Sequence, residues 1–202
     1  MKKIENYISD FLDDNIRRCR KLKKYLMILT LISALILVSG CTNSGNQTSS
    51  NSNNTKTYSV DNITFQYPEK WVTLASQARN SVVAVGDPNT NDGNGNARVN
   101  VVIQKTVQPQ NETFLEYFND TYTNFASQNL GFEQISQGTI LINGLNGYET
   151  VYKINSGEIK EHRAVWIQEN DNIYIILCTA PESDYNIEQS NFDIIVNSFK
   201  IQ

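Results

Sequence analysis

The segment Ile173-Tyr174-Ile175-Ile176-Leu177-Cys178-Thr179 is apolar at both parities of an extended chain. Successive side chains of a strand point to opposite faces, so such a strand is buried on both sides and its sheet needs cover on both. Upstream, Asn170-Asp171-Asn172 reads as a turn from a long strand, Ile159 to Gln168. Before that, Asn155-Ser156-Gly157 turns out of a strand that sets Tyr148, Thr150, Tyr152 and Ile154 on one face. A turn at Gly144-Leu145-Asn146-Gly147 leads back to a strand from Ile135 to Ile142. Alternation and turn chemistry of this kind describe an antiparallel meander.

The flanks supply the cover. Phe114, Leu115, Phe118, Tyr122, Phe125 and Ala126 line one face of a helix over Thr113 to Asn129. Thr113 and Glu116 have capping-box spacing, and Gly131 suits the stop. Downstream, Phe192, Ile195, Val196 and Phe199 repeat at i, i+3, i+4, i+7, which predicts a closing helix. Ahead of the meander, Tyr58 to Tyr67 reads as two strands broken at Asp61-Asn62, and Pro68-Glu69-Lys70 as a turn delivering Trp71 onto the body. Ser81 to Gly86, a polar loop 87–96, and alternating Val99, Val101 and Ile103 form a second hairpin. The expected class is α+β, a mainly antiparallel β-sheet sandwiched between helices in three α/β/α layers.

The first quarter of the chain has a different character. A basic run, Arg17 to Lys24, precedes fourteen apolar residues, Tyr25 to Val38, and then Leu37-Val38-Ser39-Gly40-Cys41 closes the segment. A positive start, a short apolar run and small residues before a cysteine make an export signal. The pattern resembles a lipobox, which implies cleavage before Cys41 and a diacylglyceryl group, with acyl chains such as palmitate, on its thiol. Fourteen helical residues cover roughly 21 Å, short of the roughly 30 Å hydrocarbon core. Retention of 25–42 as an uncleaved anchor is the alternative, and either arrangement leaves the basic cluster in the cytoplasm and the body outside.

The expected organisation has four parts. Residues 1–24 are a cytoplasmic n-region, of which 1–21 read as an over-extended start. Residues 25–40 form the apolar signal, and 41–57 the lipidated Cys41 with a tether. Residues 58–202 are one globular domain. Residues 42–56 contain no apolar side chain; such a stretch cannot offset its ordering entropy. It gives a typical reach of about 20 Å.

The chain carries a net charge of −4. The export segment is basic, however, and residues 42–202 hold 9 Lys/Arg against 17 Asp/Glu, a difference of −8. An acidic body without a basic stripe argues against nucleic acid. With Cys19 in the signal and Cys41 as the lipid site, Cys178 is left alone, so no internal disulfide forms and no thiol cluster gathers zinc. Asn-x-Ser/Thr acceptors at Asn46, Asn53, Asn62, Asn111 and Asn119 matter only in a host that glycosylates exported proteins.

Few residues suggest chemistry. In loop 87–96, Asp87, Asn89 and Asn91 have calcium-loop spacing, but the glycine is displaced to Gly93 and position twelve is Arg98, so a solvated hairpin loop explains them better. The lone histidine, His162, shares a face with Ala164 and Trp166 and has no Gly-x-Ser-x-Gly, Ser-x-x-Lys or His-Glu-x-x-His partner pattern; it is expected on the sheet surface. Cys178 is expected as a buried small hydrophobe. Tyr148, Tyr152, Tyr174 and Trp166 are expected in the core, with an aromatic patch for a partner as the alternative.

Phe65-Gln66-Tyr67-Pro68-Glu69-Lys70-Trp71, Gly147-Tyr148-Glu149 and the run Phe192 to Phe199 together resemble the PsbP-like domains. That group is similar in fold to a nuclear Ran-binding protein and to the periplasmic lipoprotein DcrB. The resemblance covers nearly all of 58–202 and implies a non-enzymatic accessory module that engages a protein partner, without cofactor. Its motifs are structural, so no catalytic, cofactor or metal residue carries over. The expected protein is a membrane lipoprotein held by Cys41 and facing outside the cytoplasm; a solute or metal receptor is the alternative, and an enzyme the third.

Overall fold

The computed structural model describes residues 38–39, 55–76, 78–128 and 131–202. Residues 1–24, most of the apolar signal, Cys41 and nearly all of the tether lie outside them. An eight-stranded sheet has the order β1(Val38–Ser39), β4(Val72–Ser76), β5(Ser81–Gly86), β6(Asn100–Val107), β10(Asn172–Pro181), β9(Ile159–Glu169), β8(Leu145–Asn155), β7(Glu133–Ile142). A three-stranded sheet orders β11(Lys200–Ile201), β3(Ile63–Pro68) and β2(Thr55–Val60). Every pairing is antiparallel. The doubly apolar segment is β10, at the centre of the large sheet between β6 and β9.

Both faces of β10 are buried, each against a different partner. Helix α1(Phe114–Ser127) sets Tyr117, Phe118, Tyr122 and Phe125 on Tyr152, Ile154, Ala164, Trp166, Ile173, Ile175 and Leu177. On the other face, helix α2(Glu182–Ser198) brings Tyr185, Phe192, Ile195 and Val196 against Val165, Ile167, Ile176 and Cys178. The small sheet shares that second core through Ile63, Phe65 and Tyr67, with Trp71 edge-on to Phe192 at 6.2 Å. The α+β, mainly antiparallel class is as the sequence predicts. The cover includes more than helices: the second face is covered by a helix and a second sheet together, because Phe65 and Tyr67 alternate inward from β3 just as the helix residues do.

Local chemistry explains most element ends. Thr113 Oγ1 accepts from the Glu116 amide at 3.2 Å, and Glu116 Oε2 accepts from the Thr113 amide at 2.7 Å, closing the capping box. Asp61 and Asn62 (φ 51° and 65°) form the two-residue turn between β2 and β3. The turn placed at 144–147 is instead Asn143-Gly144 (φ 50° and 88°), and β8 already starts at Leu145. Helix α2 starts at Glu182, ten residues before the apolar repeat, because its first half buries little besides Tyr185 and leaves Ile187 exposed. Strand β2 starts at Thr55, within the segment expected as tether.

The domain has two unlike ends. Thr55, the loop 87–99, the β8–β9 turn and the start of α2 lie at one end, since Val72 pairs with Gly86, Gly86 with Asn100, and Pro181 with Lys160. Strand β2 therefore begins at the end of the domain that carries the long loop. The opposite end holds the tight turns at Asp61, Asn80, Asn143 and Asn170, which contain every positive-φ non-glycine residue among those described.

Candidate functional site

His162 lies inside the molecule, not on the sheet surface as expected. Its β-neighbours bring Thr179 on one side and Tyr152 on the other. His162 Nδ1 and Thr179 Oγ1 share a hydrogen bond of 3.0 Å, the Tyr152 ring stacks at 5.0 Å, and Nε2 has no partner. Burial first, and Lys160 second, push the imidazole down to about 3, so it is neutral at physiological pH. A general base works best with a pKa near the working pH and with access to substrate. This imidazole has neither, and Thr179 beside it is equally enclosed.

The sign of the consequence is definite. Unfolded, the imidazole titrates near 6.5; folded, at about 3. Between those values the unfolded chain binds more protons, so stability is whole above pH 6.5 and drains as pH falls, by up to about 1.4 kcal/mol per unit. His162→Gln should flatten this part of the profile. The urea midpoint should shift less between pH 7 and pH 5 in the variant than in the parent; equal shifts would place the acid sensitivity elsewhere.

Cys178 is fully buried, and burial pushes its thiol up to about 12. A thiol held protonated is neither nucleophile nor metal ligand. In loop 87–96, Asp92 Oδ1 accepts from the Asn94 and Asn96 amides at 2.8 and 2.9 Å, and Oδ2 from Asn96 Nδ2 at 3.1 Å. The Asn96 bonds hold its carboxyl below the usual range. Asp87 Oδ1 accepts from the Asn89 amide and side chain at 2.9 and 3.0 Å. These carboxylates serve the loop's own turns, and Arg98 pairs with Glu158 across to the β8–β9 turn.

The aromatic residues separate by face. Trp166 donates Nε1–H to Tyr122 at 2.9 Å beneath α1, with Tyr152 beside it, whereas Tyr174 packs on Phe199 beneath α2. Tyr148 is half-buried between Phe114 and Phe118. Three of the four are core, as expected, and no single patch unites them.

Two features escape sequence periodicity. Arg163 donates through Nε to Glu149 and through Nη1 to Asp193, each at 2.6 Å, which ties β8, β9 and α2 together. Only docking of α2 brings Asp193 there. The second is β7, the outermost strand on its side, exposed from Glu133 through Thr139. Alternation predicts a strand but not that one edge stays open.

The fold is shared with solved structures. The solution structure of cyanobacterial PsbP (CyanoP) from Synechocystis sp. PCC 6803 is 17% identical, with a TM-score of 0.56, covering 81% of this chain and 98% of that one. The Saccharomyces cerevisiae Ran-binding protein Mog1p is 11% identical, with a TM-score of 0.52, covering 73% of this chain and 95% of that one. No curated protein matches the chain by sequence. The family described as PsbP-like protein matches residues 38–201. Its span takes in both sheets, both helices and the Gly147-Tyr148-Glu149 and Phe192–Phe199 motifs, and the chain belongs to the PsbP-like family.

Proposed function

We propose that this chain is an exported lipoprotein, anchored outside the cytoplasm through a diacylglyceryl group on Cys41, whose domain is a non-catalytic module that binds a protein partner. The observation that carries the proposal is the state of the two residues best suited to chemistry: His162 and Cys178 are both enclosed and both held in their unreactive protonation states. Membership of the PsbP-like family supports an accessory role, and Mog1p, which shares the fold, is named for binding another protein. The Leu37-Val38-Ser39-Gly40-Cys41 motif and the polar stretch after it support the anchor. Among the described residues no helix is long and apolar enough to cross a membrane. Cleavage before Cys41 would remove β1 and leave β4 as the outer strand on that side.

Each half has its own test. Cys41→Ser should block processing, so that the chain keeps residues 1–40 and runs higher on a gel; mobility identical to the parent, with the leader retained in both, would favour an uncleaved anchor over 25–42. For the domain, the full chain solubilised from membranes should recover the same stoichiometric protein partner with wild-type, His162→Ala and Cys178→Ser forms. Substrate turnover lost in His162→Ala while the fold is retained would overturn the non-catalytic assignment.

A further inference from the structure

Two enclosed side-chain oxygens, Ser81 Oγ and Gln104 Oε1, stand across from each other on β5 and β6 with no hydrogen-bond partner in the protein. Ser81 and Gln104 are directly opposed in the ladder, so their side chains leave the same face of the sheet. Gln104 is only 3% exposed. Buried polar groups are nearly always satisfied, and leaving one bare is costly. The bonds around the pair fix the amide. Gln104 Nε2 donates to the Arg79 carbonyl at 3.1 Å, so a flipped amide would set oxygen against oxygen. The same segment takes the Ser81 amide on the Ala78 carbonyl at 3.1 Å and the Lys105 amide on the Asn80 carbonyl at 2.9 Å.

Room comes from the local backbone. The register shifts between Ser81 and Val83, which makes Val82 the extra residue of a bulge. A bulge bends its strand and disrupts the ladder at that point. The next side chains on this face are small, Ala84 and Val102, packed with Ala78. We infer that a single water molecule is built into this bulge, donating to Gln104 Oε1 and accepting from the Ser81 hydroxyl. The amide oxygen only accepts, whereas the hydroxyl can donate. A water between them satisfies both, and two polar partners are enough to hold a buried water. A cation is the poorer occupant, because both oxygens are neutral and burying an unpaired charge is costly. The water ties the first residue of β5 to β6 where the ladder is broken.

The sign of one substitution tests this. Ser81→Ala, made in the full chain purified in non-denaturing detergent, removes one of the water's two partners. The folding equilibrium constant from urea titration should fall about three- to tenfold. A constant unchanged or raised is what loss of a bare buried hydroxyl would give, and it would overturn the inference. Gln104→Met keeps the length of the side chain without its amide, and in the double variant the two losses should sum to less than their separate values. Full additivity would mean that no bridge joins the two residues. A crystal structure of the parent should place one water within about 2.7–3.2 Å of both oxygens; a direct Ser81–Gln104 hydrogen bond there would overturn the bridge. Exchanging sodium for tetramethylammonium should leave the urea midpoint in place, and a fall would name a cation as the occupant instead of water.

Discussion

A chain ending at Gln189 should show no cooperative unfolding transition. The deletion removes Phe192, Ile195, Val196 and Phe199, each fully buried. At about 1.5–3 kcal/mol per buried side chain, their loss amounts to roughly 6–12 kcal/mol, against a total stability of about 5–15 kcal/mol for a domain. The secondary losses point the same way. β11 leaves its pairing with β3, Asn143 Nδ2 loses the Asn197 and Phe199 carbonyls at 3.0 and 2.8 Å, and Arg163 loses Asp193. One face of β9 and β10 would then meet water. Far-ultraviolet dichroism followed through a thermal ramp should drift without a sigmoid. A sharp transition in the truncated chain, with its denaturant slope unchanged, would mean that the small sheet alone closes this core.

The sequence announced the centre of this fold more clearly than its margins. Seven apolar residues in β10 required burial on both faces, and the structure provides it. The α1 cap and the Asp61-Asn62 turn were equally legible, because each depends on side chains acting within three residues of themselves. Strand β4 was not: Val72-Thr73-Leu74-Ala75-Ser76 is short and lies half-buried near the edge, so its alternation is faint. The mixed cover opposite α1 was hidden for a related reason, since periodicity shows that a face is apolar without showing what lies on it. His162 is the sharpest case. Its own strand places it between Glu161 and Arg163, which suggests water, and the contacts it makes inside, Thr179 and Tyr152, come from seventeen and ten positions away in the chain.

Gly147→Ala should be among the most destabilising single substitutions in the domain, costing about 3 kcal/mol or more. A Cβ at position 147 would stand 2.2 Å from the Trp166 carbonyl oxygen and 3.4 Å from Ile140 Cγ2. The first obstacle is backbone of β9, so relief requires β8 and β9 to separate where they pair Gly147 with Ile167. Gly138→Ala is the matched control, one strand out, where nothing lies within 4 Å; it should change the urea midpoint little. A Gly147→Ala midpoint equal to that control would show that β8 and β9 give way freely. The residues that follow explain why this glycine stands in the Gly147-Tyr148-Glu149 motif. Tyr148 turns to the α1 face and packs on Phe118 and Phe114, while Glu149 turns to the opposite face and takes Arg163, which also holds Asp193 of α2. Close approach of two backbones at Gly147 thus sets the register in which consecutive side chains engage the two helices on opposite sides of one sheet.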